Sequence, residues 1–177
     1  SLGDSVNFNG KNKVFVIALT IALTISHSFT QSANAVKAKI IPVCQDPLLK
    51  YASMKKLTKA QLYELLEYTG FHGKSLNTAW AVAMKETHGN PVAHNYNPRT
   101  GDNSYGVFQI NLYGALKGRL SQFGLKSASD LTNPVTNARI AYLMSNKGKN
   151  WSAWHSNPGQ RDYWLVKQYV RQTTQFY

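Results

Sequence analysis

Cysteine is nearly absent. Cys44 is the only one in 177 residues, so no intrachain disulfide and no cysteine-based zinc site can form. Carboxylates are scarce as well: eight Asp and Glu stand against twenty Lys and Arg, for a net charge of +12. The histidines, at 27, 72, 88, 94 and 155, show no His-Glu-x-x-His spacing, and neither a metal nor an organic cofactor is expected. Dense Lys/Arg runs are missing too. The basic residues are spread along the chain, which disfavours a specific nucleic-acid partner. A diffuse positive balance suits an anionic polymer such as a teichoic-acid-bearing cell wall, an anionic lipid, or simply a soluble basic surface. Internal repeats and long low-complexity segments are absent.

Only one long apolar run breaks the pattern. Residues 1–13 are polar and end in Lys11 and Lys13, Val14 to Ile25 is almost wholly apolar, and Ala33-Asn34-Ala35 follows. This is the order of a secretory signal peptide, with cleavage expected after Ala35. The run is short of the roughly 20 residues that span a bilayer. An uncleaved anchor, and a retained apolar segment packing on virion or tail proteins, are the alternatives for residues 1–35. Residues 36–56 read as a connector broken by Pro42 and Pro47, so the folded domain is expected over 57–177.

Helix signals fill that domain. Thr58-Lys59-Ala60-Gln61 has the form of a capping box, with Leu57 and Leu62 placed for a hydrophobic staple. Gly70 is a stop, and Ser75 is a cap candidate for the next helix. That helix carries Leu76, Ala79, Trp80, Val82, Ala83 and Met84, and Gly89 and Pro91 end it. Residues 91–103 read as loop, with a small hairpin into Tyr105–Ile110. Further helices are expected over 113–123, 134–146 and 160–172; Asn133-Pro134 is a cap followed by proline at the first helical position.

With so few carboxylates, elimination is informative. Asp4 and Asp46 lie outside the expected domain, Glu64 and Glu67 on a polar helix face, Asp130 in a turn, and Asp162 at a helix start. Glu86 and Asp102 remain. Glu86 follows Ala79, Val82 and Ala83 at offsets that share one helix face. Withdrawal from water there raises a carboxyl's proton affinity, as does a nearby helix C-terminus. A carboxylic acid protonated near neutral pH is what a general acid needs. The plain alternative is a Glu tilted out to solvent. Asp102, between Gly101 and Asn103, is either a turn residue or a second carboxylate.

Lys85-Glu86-Thr87-His88-Gly89-Asn90-Pro91 resembles the Glu-Ser-Gly-type catalytic segment of soluble lytic transglycosylases and goose-type lysozymes. Tyr105-Gly106-Val107-Phe108-Gln109-Ile110-Asn111 is similar to their Gly-(Leu/Met/Val)-(Met/Phe)-Gln-Ile-Asn segment. Asn133-Pro134, Asn137 and Ala141-Tyr142-Leu143 resemble the helix that follows. Ala153-Trp154-His155-Ser156 and Tyr169-Val170 sit where the family carries Ala-Tyr-Asn and a later Tyr-Val. The resemblance covers roughly 57–172. It implies a mainly α (α+β), lysozyme-like fold with a small β or loop insertion after the Glu86 helix, and a peptidoglycan-cleaving enzyme acting on glycan strands.

On this resemblance Glu86 is the catalytic acid, and Tyr105, Gly106, Val107, Phe108, Gln109, Tyr142, Trp154 and His155 are substrate-binding candidates. Gly106 would let backbone approach a sugar, and Gln109 would bond hydroxyl or acetamido groups. Phe108 and Ile110 read better as core, as does one of Trp151 and Trp154. Two departures stand out. Thr87-His88 replaces Ser-Gly, and Trp154-His155 replaces Tyr-Asn, which removes a phenol placed to bond the acid. Tyr142, Tyr105 or His155 are the candidates to take its place.

The resemblance favours lytic transglycosylation, with Glu86 as the single acid/base and a 1,6-anhydro product. A hydrolase using Asp102 is the alternative, as is a structural or glycan-binding virion component without turnover. A secreted or cell-envelope location is expected, or else a tail-associated one.

Overall fold

The computed structural model describes residues 46–177. The signal-like segment 1–35, its possible partners and Cys44 lie outside the described residues. Five α-helices and one small sheet are found among the described residues: α1 (Lys59–Thr69), α2 (Gly73–Thr87), β1 (His94–Asn97), β2 (Asp102–Tyr105), β3 (Ile110–Asn111), α3 (Arg119–Gln122), α4 (Pro134–Met144) and α5 (Tyr163–Arg171). The mainly helical class, with a small β insertion after the Glu86 helix, is the one expected.

Local chemistry sets the helix ends. Thr58 accepts from the Gln61 N–H while the Gln61 side chain accepts from the Thr58 N–H, closing the capping box. Gly70 caps α1 in a left-handed conformation, φ 116°, where a Cβ is disfavoured. Asn133 accepts from the Val135 and Thr136 N–H groups ahead of Pro134. Helix α2 departs from expectation at its start. It opens at Gly73 with His72 at the cap, and Ser75 lies inside, its hydroxyl accepting from the His72 N–H at 3.1 Å.

Helix α2 is the central element. Ala79, Trp80, Ala81, Val82 and Ala83 have no exposed surface, so its middle is buried all round rather than on one face. It packs against α1 and α5, and α1 packs against α4. Aromatic rings extend the core: Phe71 lies near Trp151, Trp151 near Trp154, and both tryptophans touch Phe108 at centroid distances of 5.2–6.2 Å. Both Trp151 and Trp154 are core residues, not one of them.

Packing begins ahead of Leu57. Leu48 and Tyr51 belong to the core, the Tyr51 hydroxyl donates to Glu64, and Arg139 pairs with Asp46 at 3.2 Å. The described part of the expected connector is therefore built into the domain, and Asp46 is an ion-pair partner within it. Apolar positions 48 and 51, three apart on a 3₁₀ turn, are the signal that the two prolines obscured.

The three strands form an antiparallel sheet in the order β1-β2-β3, with His94 opposite Tyr105, Asn97 opposite Asp102 and Tyr105 opposite Ile110. Residues 106–109 are thus a turn between two strands, not part of a strand. The helix expected over 113–123 is a 3₁₀ turn, Gly114–Gly118, running into the short α3.

Candidate active site

A groove of about 570 Å³ opens where the end of α2, the sheet and the start of α5 meet. That volume lies within the range of small-ligand sites. Glu86 and Lys85 supply one wall, Asn95, Asp102, Ser104, Gln109 and Asn111 the sheet side, and Trp154, His155, Arg161 and Asp162 the far side.

Glu86 leaves α2 one residue before its end, with a side chain 21% exposed. Burial is the largest influence on its carboxyl and pushes it above the ordinary carboxylate range. The neighbouring Lys85 pulls the other way, and the negative charges of Asp162 and Asp102 add to the upward push. The net direction is that of an acid that keeps its proton to higher pH.

Consecutive helical residues do not face one another, yet the Lys85 ammonium lies 2.6 Å from Glu86 Oε1. The long lysine stem brings its charge round to the carboxylate. Lys85 also donates to the Trp154 carbonyl at 2.7 Å and to Asp162 at 3.2 Å. None of Tyr142, Tyr105 or His155 takes the place of the missing phenol; the polar group on the Glu86 carboxylate is Lys85.

Asp102 lines the same groove from β2. Its carboxylate accepts from the Asn95 side chain on β1 and from the Ser104 hydroxyl two residues along its own strand. Asp162, read from sequence as a helix-start residue, is also in the groove. Arg161 grips it through two hydrogen bonds and is the main reason its carboxyl is held down to about 2, with Lys85 assisting. Lys85 and Asp162 are the charged groove residues in contact with the Glu86 site that sequence reasoning missed, and Asn95, Ser104, Asn111 and Arg161 are missed with them. The buried amine beside the acid was visible; its partner 77 positions away was not.

The remaining candidates divide. Gln109, Trp154 and His155 line the groove, while Tyr105, Gly106, Val107, Phe108 and Tyr142 do not. Tyr142 packs on Gly70 and edge-on against Phe71 at 5.0 Å, away from Glu86. Tyr105 stacks on His94 at 4.2 Å. Gly106, φ 73°, is a glycine because a Cβ there would lie 2.2 Å from the Leu131 carbonyl and 2.3 Å from Asn137 Nδ2. Protein packing, rather than approach to a sugar, demands it. Val107 and Phe108 are fully buried. They hold the turn in place, since the Val107 carbonyl accepts from Thr87 at 2.8 Å and the Phe108 carbonyl from the Trp154 indole at 2.7 Å. Gln109, φ 50°, directs its amide to the Gly106 carbonyl at 3.1 Å while still lining the groove.

The departures after the acid are accommodated locally. The Thr87 hydroxyl accepts from the Asn90 N–H and donates to Val107, tying the end of α2 to the β2–β3 turn. His88 adopts the left-handed conformation, φ 54°, that glycine would take more easily, and its ring lies 3.2 Å from the Tyr169 hydroxyl.

Comparison with known proteins agrees with this architecture. Residues 63–156 match the family described as a lysozyme-like domain. The chain is 31% identical over 122 residues to a lysozyme C of Leptonychotes weddellii and 32% identical over 123 residues to one of Halichoerus grypus, each match spanning 63% of this chain and 80% of the relative. A tracheal lysozyme C of Bos taurus is 28% identical over 118 residues, 62% of this chain and 80% of that protein. With the family match over more than half its length, and with a half-buried glutamate at the end of its central helix facing a small sheet across a polar groove, the chain belongs to the lysozyme-like domain family.

Proposed function

We infer that this domain is a peptidoglycan-cleaving glycosidase with Glu86 as its general acid. Lysozyme-like family membership supports the activity in general. The observation that carries the assignment of the acid is the position of Glu86: largely buried, raised in proton affinity by that burial, and open to the groove.

Glu86 protonates the bridging oxygen between N-acetylmuramic acid and N-acetylglucosamine as the C1–O bond breaks. The positive charge that builds on the sugar ring then meets Asp102, which shares the groove and whose charge is already felt at Glu86. Two carboxylates flanking one bond are the usual equipment for glycoside hydrolysis. In this reading water adds its hydroxyl to C1 and returns a proton to the Glu86 carboxylate. Gln109 and His155 bind the glycan, and Trp154 shapes the wall behind them. The basic surface suits an anionic wall, and the leader-like pattern within residues 1–35 supports action at the cell envelope.

One observation favours the other outcome. Asp102 already accepts two hydrogen bonds within its own sheet. If those bonds spend its charge, Glu86 works alone: having given up its proton, it takes one from the C6 hydroxyl of the muramic acid, which closes on C1 as a 1,6-anhydro sugar. Mass analysis of products from purified peptidoglycan distinguishes the two. Reducing ends, together with a loss of at least about 100-fold in Asp102→Asn, support hydrolysis. Anhydro ends with Asp102→Asn largely active support transglycosylation. A particle-borne domain that binds peptidoglycan and yields no products in either form would overturn both.

A further inference from the structure

A cation in contact with a general acid is a problem for catalysis, because it favours the ionised form. The surroundings of Lys85 answer it. The Lys85 ammonium donates to the Trp154 carbonyl at 2.7 Å and to Asp162 Oδ2 at 3.2 Å, and it lies in ionic contact with Glu86 Oε1 at 2.6 Å. With its side chain 8% exposed, Lys85 is fixed rather than waving in solvent. Asp162 is fixed in turn by Arg161, through contacts of 2.8 and 3.1 Å. A chain of alternating charge therefore runs Arg161–Asp162–Lys85–Glu86 from the start of α5 to the end of α2. The other ionisable groups facing Glu86 across the groove are Asp102 from β2 and His155 from the turn before α5.

We propose that Lys85 and Asp162 form a positioning pair for Glu86, in which Lys85 aims the carboxyl into the groove and Asp162 takes up part of the lysine's charge. The pair does the orienting work of the phenol that this chain lacks, and it sets the pH range over which the acid is loaded. The inference rests on Glu86 being the acid. It adds that two further groove residues tune it in opposite directions.

The test is the pH dependence of kcat/KM on soluble peptidoglycan fragments, whose basic limb reports loss of the proton from the free enzyme's acid. Lys85→Met removes the cation and moves that limb upward by about one pH unit; Asp162→Asn leaves the cation unshared and moves it downward by a similar amount. Lys85→Arg keeps the charge and leaves the limb near its wild-type position. If Lys85→Met does not fold, the downward shift in Asp162→Asn against an unshifted Lys85→Arg still decides. Variants that lose rate equally at every pH, with coincident limbs, would show a merely structural strut and overturn the pair. Glu86→Gln assayed alongside separates the two claims. Full activity in that variant removes the assignment of the acid, whereas an inactive Glu86→Gln with coincident limbs elsewhere removes only the positioning pair.

Discussion

Asn137, on α4 and fully buried, holds the β2–β3 turn from beneath. Its Oδ1 accepts from the Phe108 N–H at 2.8 Å, and its Nδ2 donates to the Tyr105 and Leu131 carbonyls at 2.9 and 3.0 Å. One amide thus satisfies two backbone groups of the segment that leads to Gln109 and a third in the turn before α4. Asn137→Ala removes all three bonds and is expected to cost about 3 kcal/mol or more. Urea denaturation measures it, and a cost under about 1 kcal/mol would contradict the role given to this side chain.

Gly106 tests the same junction from the other side. Gly106→Ala drives a Cβ into the Leu131 carbonyl and the Asn137 amide and is expected to destabilise by at least about 2 kcal/mol. Gly73→Ala is the control. Its φ is also positive, 53°, but nothing lies within 4 Å of the added carbon, so only the backbone cost of about 1 kcal/mol applies. Equal thermal shifts in the two variants would mean that contact with Asn137 is not what requires glycine at 106.

These two positions also show what could be read along the chain. Thr58 with Gln61, Gly70, and Asn133 with Pro134 were legible because each acts on backbone within a few residues of itself. Glu86 was legible because helix spacing puts it beside Val82 and Ala83. Gly106 and Tyr142 were not. The glycine's reason lies in Asn137 and Leu131, and the tyrosine's neighbours are Gly70 and Phe71, so motif position alone drew both toward the sugar. Asp162 reads from sequence only as a helix-start residue because its partner Lys85 belongs to a distant segment.

Trp154 is a core residue, and its indole N–H donates to the Phe108 carbonyl. Trp154→Phe keeps a ring in the core but leaves that buried carbonyl unpaired, at an expected cost of about 1–3 kcal/mol. Trp154→Tyr does not restore the bond in the same place. Chemical denaturation with near-ultraviolet circular dichroism follows both variants, and an unchanged midpoint in each would contradict the contact.

Asp162 gives the domain an acid-sensitive component. Its carboxyl is held at about 2, below the ordinary value of 3.8, chiefly by Arg161. A lowered value means that the folded state favours the charged form, so the contribution is full above about pH 4 and is lost as pH falls through about 2. The Glu64 carboxyl, lowered by Lys50 and Tyr51, weakens in the same direction. Asp162→Asn should therefore lose less stability than wild type between about pH 5 and about pH 2. Parallel denaturation curves at both pH values, with identical losses, would contradict the ion pair's contribution.

In the proposed reaction Glu86 carries the proton that cleaves the glycan. Glu86→Gln keeps the shape of the side chain and its contact with Lys85 but cannot donate an acid proton. The direct measurement is release of soluble fragments from purified peptidoglycan by wild type and by this variant, with folding of each checked by circular dichroism. The expected result is a folded variant whose rate falls by at least about 100-fold. A folded Glu86→Gln that solubilises peptidoglycan at the wild-type rate would contradict it.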